Sequence, residues 1–245
     1  MARDTATAIV GAVLGAMVAW AIVAVLTVAS GPDATRPDER VAASSVGVLS
    51  GWDVSGAAWQ RSVVQVRNQR CGDSISGTGV VVGGRILTNV HVVAGAARLE
   101  VGTHDGRSIR VVAVSVSGSV DLAELVLEDG HGLGPGVSLA SGEFSQRTGD
   151  RWTMAGFPAG RRFLVREVGV TGTLHGGRFP DPARAWHLDA GVAGGESGSP
   201  IVDGSGRLAG LLYARALVDG DGLAMDASTI REARSDLIAR PFESC

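Results

Sequence analysis

Three polar residues of this 245-residue chain are of the types that nucleophilic acyl transfer requires: His91, Asp121 and Ser197. Acyl transfer by a hydroxyl needs a base that takes the hydroxyl proton and an acid that keeps this base in the right tautomer. His91 would be the base, Asp121 would orient it, and Ser197 would be the nucleophile. Each also has a simpler interpretation, because Asp121 could cap a turn, His91 could be a half-buried structural histidine, and a Gly-x-Ser-Gly segment is usually just a turn.

Glycines surround Ser197 in the segment Gly194-Gly195-Glu196-Ser197-Gly198-Ser199-Pro200. Because glycine lets the backbone turn sharply, successive N–H groups of such a segment can point at one oxygen. The amides of Gly195 and Ser197 would then form an oxyanion hole.

The order of these residues along the chain restricts the fold. All histidines precede Ser197: His91, His104, His131, His175 and His187. The order Ser, acid, His of α/β-hydrolases is therefore excluded with Ser197 as nucleophile. A subtilisin order would need an acid before His91, such as Asp73, in a fold with alternating helices, and the sequence lacks these. The order His, Asp, Ser remains.

The elements that must position these residues are mostly strands. The 36 glycines, spread among short Val, Leu and Ile runs, suit many strands and tight turns. Alternating β-branched residues predict strands at 62–67, 78–82, 108–116, 162–173 and 207–213. A helix is predicted only at 228–239, with Ile230, Ala233, Leu237 and Ile238 on one face. This pattern indicates an all-β barrel or sandwich.

The motifs together resemble the chymotrypsin/trypsin superfamily of serine proteases, particularly its HtrA-like bacterial branch. The matching segments follow the family's order and are Gly77 with Gly79, Thr88-Asn89-Val90-His91-Val92, Asp121-Leu122-Ala123, residues 154–158, residues 188–190, and Gly195-Glu196-Ser197-Gly198-Ser199-Pro200. The resemblance covers about residues 60–240 and implies two six-stranded antiparallel β-barrels with a cleft between them, followed by the C-terminal helix. We expect no PDZ domain of the HtrA kind in this protein, so membrane-anchored actinobacterial proteases of the MarP type are the nearer comparison.

The resemblance also implies substrate-binding positions. Gly191 would form the floor of the S1 pocket, and Leu212, Tyr213 and Ala214 would lie on an edge strand that pairs with the substrate backbone. With no carboxylate at Gly191, we expect a small or medium apolar P1 side chain rather than Arg or Lys. Glu196 occupies the position at which zymogen-activated relatives pair an Asp with a newly cut N-terminus, and we expect it to face solvent or a nearby Arg.

Charge and cysteine content narrow the partners and cofactors. The balance of 22 basic and 25 acidic residues offers no large basic field, which argues against a nucleic-acid partner. Cys71 and Cys245 are the only cysteines, and they form no Cys/His cluster, so neither a metal nor another cofactor is expected. They either form a disulfide, which would indicate an oxidising compartment, or remain free thiols.

The N-terminal region carries an apolar segment at about residues 8–29, long enough to cross a bilayer and without a polar stripe. It is either an uncleaved anchor or a secretion signal. Gly11 and Gly15 form a G-x-x-x-G pattern that could pair two such helices weakly. We therefore predict an anchor at 1–30, a flexible linker at 31–57 and a protease domain at 58–245. The protein would cross the cell membrane once, with the protease domain on the outer side. It would be secreted if residues 1–29 are removed.

Three functions remain open. The first is a serine endopeptidase that binds protein or peptide substrates. The second is a catalytically inactive module of the same fold that binds an envelope protein, and the third is an esterase or acyltransferase with the same residues. An intact triad favours an enzyme, because a binding module has no physical need for all three groups.

Overall fold

The structure, a computed structural model, describes residues 56–141, 151–176 and 181–245. Within these ranges the chain forms two six-stranded antiparallel barrels and a further strand, β13, that pairs with β5. The strands of the first barrel are β1 Val63–Gln69, β2 Ser74–Val82, β3 Arg85–Thr88, β4 Arg98–Gly102, β5 Ser108–Val116 and β6 Ala123–Leu127. The strands of the second barrel are β7 Arg151–Gly156, β8 Leu164–His175, β9 Arg184–Gly191, β10 Pro200–Val202, β11 Leu208–Arg215 and β12 Asp221–Asp226. The predicted all-β, two-barrel fold is confirmed for these residues.

The first barrel has the strand order β5-β4-β1-β2-β3-β6 and is closed by pairing of β5 with β6. Alternation along β5 buries Ile109, Val111, Val114 and Val116 in the barrel core. A register shift between Val111 and Ala113 interrupts the alternation, and it leaves Val112 47% exposed. The period-two pattern of the sequence thus forms the inner face of this barrel.

The second barrel closes in the order β10-β11-β12-β9-β8-β7. Its core contains Met154, Trp186, Leu188 and Ile201, all essentially inaccessible to solvent. This barrel provides the walls against which the Ser197 loop, between β9 and β10, is held.

A separate apolar cluster joins the two barrels. It combines Val80 and Leu87 of the first barrel with Leu211 and Met225 of the second. Strand β2 is buried on both faces from Gly77 onward, because one face lines its own barrel and the other contacts this cluster. The cluster therefore fixes the two barrels relative to each other where the cleft is expected.

The C-terminal helix α2 is shorter than predicted and spans Ala227–Ala233. The prediction that it continues to residue 239 is wrong, because Ile238–Arg240 form β13 and pair with the β5 edge, Ile238 opposite Val116. The helical spacing of Leu237 and Ile238 is thus overridden by strand pairing, and Ile238 is 55% exposed.

Asp226 caps this helix. Burial alone would raise the pKa of Asp226, but hydrogen bonds from the Thr229 N–H and the Ser228 hydroxyl, together with Arg184, outweigh it and lower the pKa. The carboxylate therefore stabilises the first turn of α2 in its charged form.

Cys71 and Cys245 form a disulfide, with their Cα atoms 5.4 Å apart across a separation of 174 residues. The bond ties the C-terminal residue to the connection between β1 and β2, and the Glu243 N–H donates to the Ala96 carbonyl at 2.8 Å on the way. The predicted membrane segment at 8–29 and most of the linker lie outside the described residues. Among the residues that the structure does describe, no helix has the length and apolar character to cross a membrane.

Candidate active site

His91 lies on a one-turn helix, α1 Val90–Val93, directly after β3. The polar residues before it anchor this turn: the Thr88 hydroxyl donates to the Thr78 carbonyl at 2.7 Å, and Asn89 Nδ2 donates to the Asp121 carbonyl at 2.8 Å. At the other end, Asn68 Nδ2 donates to the carbonyls of Val92 and Ala94 at 2.9 and 3.0 Å. A helix this short has little stability of its own, so these buried side chains position His91.

Asp121 contacts His91 with both carboxylate oxygens. Oδ2 lies 2.6 Å from His91 Nδ1, and Oδ1 accepts the His91 backbone N–H at 3.1 Å. The Asp121 side chain is 7% exposed, whereas the His91 side chain is 49% exposed. The ring is thus held with Nδ1 toward the carboxylate, which leaves Nε2 available to exchange a proton.

The Ser197 loop is held by its carbonyl groups. The Gly194 carbonyl accepts the Ala159 N–H at 2.6 Å, and Thr78 binds both the Gly195 carbonyl, through Oγ1 at 2.8 Å, and the Ser197 carbonyl, through its N–H at 2.8 Å. Because N–H and C=O point in opposite directions in a trans peptide, the Gly195 N–H is directed away from Ala159. Within the described residues no protein acceptor takes the N–H of Gly195 or of Ser197. The Ser197 loop therefore contains two unengaged amides, and an oxyanion hole requires donors of this kind.

Gly77 and Gly195 are needed for this arrangement. A Cβ at Gly77 would lie 2.6 Å from Val92 Cγ1 and 3.3 Å from the Ser197 carbonyl oxygen, so α1 and the Ser197 loop meet over this residue. Gly195 has a φ of +88°, and a Cβ there would lie 2.4 Å from the Phe157 carbonyl oxygen. The structure thus brings the predicted His91, Asp121 and Ser197 segments together at the junction of the barrels.

No hydrogen bond joins His91 to the Ser197 hydroxyl in the part of the chain that the structure describes. Catalytic hydrogen bonds of this kind are often long and tighten only when substrate binds. Of the two contacts that a triad requires, the one between Asp121 and His91 is therefore formed in the structure, and the one between His91 and Ser197 is not.

A cavity of ≈ 120 Å³ adjoins Ser197. Of the predicted substrate-binding residues, Leu212 and Ala214 line it. Gly191 does not; it is exposed and pairs with Asp221. Val192 lines the cavity instead, beside Ala193, Gly194 and Arg215.

Tyr213 is not in the cavity but is buried in the cluster between the barrels. Burial raises the pKa of its hydroxyl, and the carboxylates of Asp181 and Asp121 raise it further. The N–H and C=O of Leu212 bond to Ser199 and Gly198, and β11 lies between β10 and β12 rather than at an edge. The register shift between Leu212 and Ala214, which turns Tyr213 inward, has no signal in the sequence.

Comparison with known proteins places this arrangement in a family. Residues 77–211 match the family of the trypsin-like peptidase domain, more than half of the chain. The chain belongs to this trypsin-like peptidase family. It is 30% identical over 185 residues to the serine protease Rv3671c of Mycobacterium tuberculosis, covering 71% of this chain and 45% of the relative. It is 26% identical over 183 residues to the serine protease Do-like HtrA of Bacillus subtilis, covering 69% of this chain and 40% of that relative. The chain thus spans less than half the length of both relatives.

A solved structure agrees with this assignment. The active form of the Rv3671c protease superposes with a TM-score of 0.66 at 25% identity, covering 82% of this chain and 95% of that chain. The predicted HtrA-like and MarP-type resemblance is confirmed.

Two glutamates of this trypsin-like peptidase that are largely buried each pair with an arginine. Glu124 lies 2.7 Å from Arg234 after α2, so its charge is compensated. Glu196 is only 2% exposed and lies 2.7 Å from Arg166. We expected Glu196 to face either solvent or a nearby arginine. The side chain is not in solvent, and it faces Arg166.

One group of side chains in the described ranges could hold a metal ion: His187, Asp219 and Asp221, whose ligand atoms lie within 4.8 Å of one another. His187 Nε2 lies 3.2 Å from Asp219, and Nδ1 lies 2.8 Å from the Thr171 hydroxyl. Hydrogen bonding of a surface histidine with a hydroxyl and a carboxylate accounts for these contacts without a metal.

Proposed function

We propose that this protein is a serine endopeptidase that hydrolyses peptide bonds through an acyl-enzyme intermediate. The observation that carries the proposal is the double contact of Asp121 with the backbone and ring of His91, at the point where Gly77 also meets the Ser197 loop. A merely structural histidine would not need its Nδ1 fixed and its Nε2 left open.

In the proposed mechanism, Ser197 Oγ attacks the scissile carbonyl while His91 Nε2 takes the hydroxyl proton. Asp121 stabilises the resulting imidazolium, and the N–H groups of Gly195 and Ser197 bind the negatively charged carbonyl oxygen. Each such donor stabilises the transition state by about 2.7–4 kcal/mol. His91 then protonates the leaving amine, and a water molecule deprotonated by His91 hydrolyses the ester at Ser197.

A small or medium apolar P1 side chain fits the cavity beside Ser197. The cavity measures only ≈ 120 Å³, and Val192, Ala193, Leu212 and Ala214 contribute apolar walls. Digestion of a peptide library, read by mass spectrometry, would identify the P1 residues. Cleavage mainly after Arg, Lys or large aromatic residues would contradict this part of the proposal.

The test of activity is labelling by a fluorophosphonate probe, combined with peptide turnover. We expect labelling of the wild type and its loss in Ser197→Ala. The matched control is Ser205→Ala, because Ser205 lies in the exposed turn between β10 and β11. Absence of both labelling and turnover in the folded wild type would refute the proposal, and turnover of esters alone would point to an esterase.

The second candidate is a catalytically inactive trypsin-fold module that binds an envelope protein. The absence of a hydrogen bond between His91 and the Ser197 hydroxyl among the described residues fits this candidate, although in active enzymes such a bond can also form only when substrate binds. This candidate predicts that partner capture is unchanged by Ser197→Ala and that the folded protein cleaves no peptide.

We also propose that the domain acts outside the cytoplasmic membrane, held there by residues 8–29. The Cys71–Cys245 disulfide supports this, because structural disulfides persist in oxidising compartments. Fractionation of cells, with digestion of the domain by an added protease in intact spheroplasts, tests it. Recovery of the domain in the cytosol with free thiols would refute it.

A further inference from the structure

The carboxylate next to the nucleophile is buried and depends on one cation. Glu196 is 2% exposed; its Oε1 lies 2.7 Å from Arg166 Nη2, and its Oε2 accepts the Ala193 N–H at 2.9 Å. Burial of a carboxylate is costly unless a charge and hydrogen bonds compensate it. The contact between Arg166 Nη2 and Glu196 is an ion pair by distance without the geometry of a hydrogen bond, and neither Nη2 nor Nε of Arg166 has another partner among the described residues.

Glu196 closes the loop that carries the oxyanion hole. Its side chain holds the Ala193 N–H and its own N–H donates to the Ala193 carbonyl at 3.2 Å, so residues 193–196 form a ring around Gly194 and Gly195. Two consecutive glycines have many accessible backbone conformations, and only some leave the Gly195 N–H unengaged. The carboxylate therefore selects the conformation of this loop at its Ala193 end.

Arg166 connects this ring to the barrel wall. It lies on β8, opposite Met154 of β7 in the antiparallel ladder, and its side chain is 25% exposed. Its backbone is thus fixed by a strand, whereas the loop that it contacts is not part of a strand.

We propose that Arg166 is a positioning residue for residues 193–196, here called the oxyanion loop. It acts through Glu196 to hold this loop in the conformation that leaves the Gly195 N–H free to bind an oxyanion. An arginine within the chain supplies the cation for this carboxylate, so the loop is set without a newly cut N-terminus. The inference rests on the proposed endopeptidase function, since the loop's amides matter only if an oxyanion forms there.

The test compares Arg166→Met, Arg166→Lys and the double variant Arg166→Met/Glu196→Gln with the wild type. The matched control is Arg151→Met, because Arg151 of β7 also pairs with carboxylates, but these are Asp189 of β9 and Glu167 of β8 and not a residue of the loop. Two quantities are measured: kcat and KM for a peptide substrate, and hydrogen exchange of the amides at 193–199.

We expect kcat of Arg166→Met to fall about 10²-fold with KM nearly unchanged, because an oxyanion hole acts mainly in the transition state. Its hydrogen-bonded amides at 193–199, those of Ala193, Glu196, Gly198 and Ser199, should exchange at least about tenfold faster, as in a locally opened segment. Arg166→Lys should keep most of the rate. The double variant should lie between Arg166→Met and the wild type, since no unpaired carboxylate stays buried.

A kcat within threefold of wild type in Arg166→Met, with unchanged exchange, would overturn the inference and leave the proposed function intact. If Arg166→Met does not fold, the double variant decides by the same two measurements. If the wild type neither turns over peptide nor reacts with fluorophosphonate, the proposed function fails. The exchange data then decide the inference alone, because they report the loop without catalysis.

Discussion

Asp121→Asn removes one charge and reverses one hydrogen bond without changing the size of the side chain. In the wild type, Oδ1 accepts the His91 backbone N–H and Oδ2 faces Nδ1. The asparagine oxygen must take the Oδ1 position, because an NH₂ group cannot accept the backbone N–H. The NH₂ group then faces Nδ1 and favours the tautomer whose proton is on Nε2. In that tautomer His91 cannot accept the proton of Ser197.

The expected loss follows from this change. The same change in a Ser-His-Asp triad lowers kcat by about 10⁴-fold, which is about 5 kcal/mol of transition-state stabilisation. Two effects combine: the wrong tautomer, and the missing charge beside the imidazolium. The fold should survive, since the Asp121 backbone carbonyl still accepts Asn89 Nδ2 and the side chain keeps its volume.

The assay is kcat for a peptide substrate, normalised by titration of folded protein, together with the rate of fluorophosphonate labelling. Asp129→Asn is the matched control, because Asp129 is an exposed carboxylate in the turn after β6. A kcat of Asp121→Asn within tenfold of wild type, with the control unaffected, would show that Asp121 does not set the tautomer of His91. Circular dichroism and the melting temperature exclude unfolding as the cause of a loss.

Three further predictions concern Gly195 in the oxyanion loop, the Cys71–Cys245 disulfide and the Asp226 cap of α2. Gly195→Ala should lower kcat at least about 10²-fold, because its Cβ would lie 2.4 Å from a backbone carbonyl oxygen. Gly204→Ala, in the exposed turn between β10 and β11 and with open space around its Cβ, should retain activity, and equal losses in both would contradict this. Cys71→Ser/Cys245→Ser should lower the free energy of unfolding by up to about 5 kcal/mol, since the bond closes a loop of 174 residues. An unchanged midpoint of urea unfolding would show that the disulfide does not stabilise the fold. Asp226→Asn should lower the free energy of unfolding by about 1 kcal/mol at neutral pH, because asparagine keeps the cap but loses the charge that faces Arg184. Because folding lowers the pKa of Asp226, its contribution is complete above the unfolded-state value of about 3.9 and is lost as the pH falls through the folded value. The two proteins should therefore converge below about pH 4 in urea unfolding, and a constant difference down to pH 2 would contradict this.

The fold and the segments of the site were predictable because their signals are local in the sequence. Alternating residues set the strands, and the motifs around His91, Asp121 and Ser197 each occupy one loop next to a strand. The extent of the C-terminal helix was not predictable, because the spacing of Leu237 and Ile238 fits a helix as well as it fits the tail that pairs with β5.

Contacts between segments that are distant along the chain could not be predicted from the sequence. Asn68, which holds both carbonyls at the end of α1, is separated from them by 24 and 26 residues. Arg166 has no feature that marks it among the many arginines of the chain. The inward turn of Tyr213 depends on a bulge, and a one-residue shift in register exchanges the two faces of a strand.

Thr78 shows why the site depends on the contact between the barrels rather than on either barrel alone. Its N–H and Oγ1 donate to the Ser197 and Gly195 carbonyls, its Oγ1 accepts the Phe157 N–H at 3.1 Å, and its carbonyl accepts the Thr88 hydroxyl on the strand that leads to His91. The residue is completely buried, so each of these groups would be costly to leave without a partner. A displacement of one barrel would break bonds to the oxyanion loop and disturb the strand before His91 together. The nucleophile, the oxyanion loop and the base are therefore positioned by the same hydrogen-bond network, and this explains how a site split between two barrels can stay aligned.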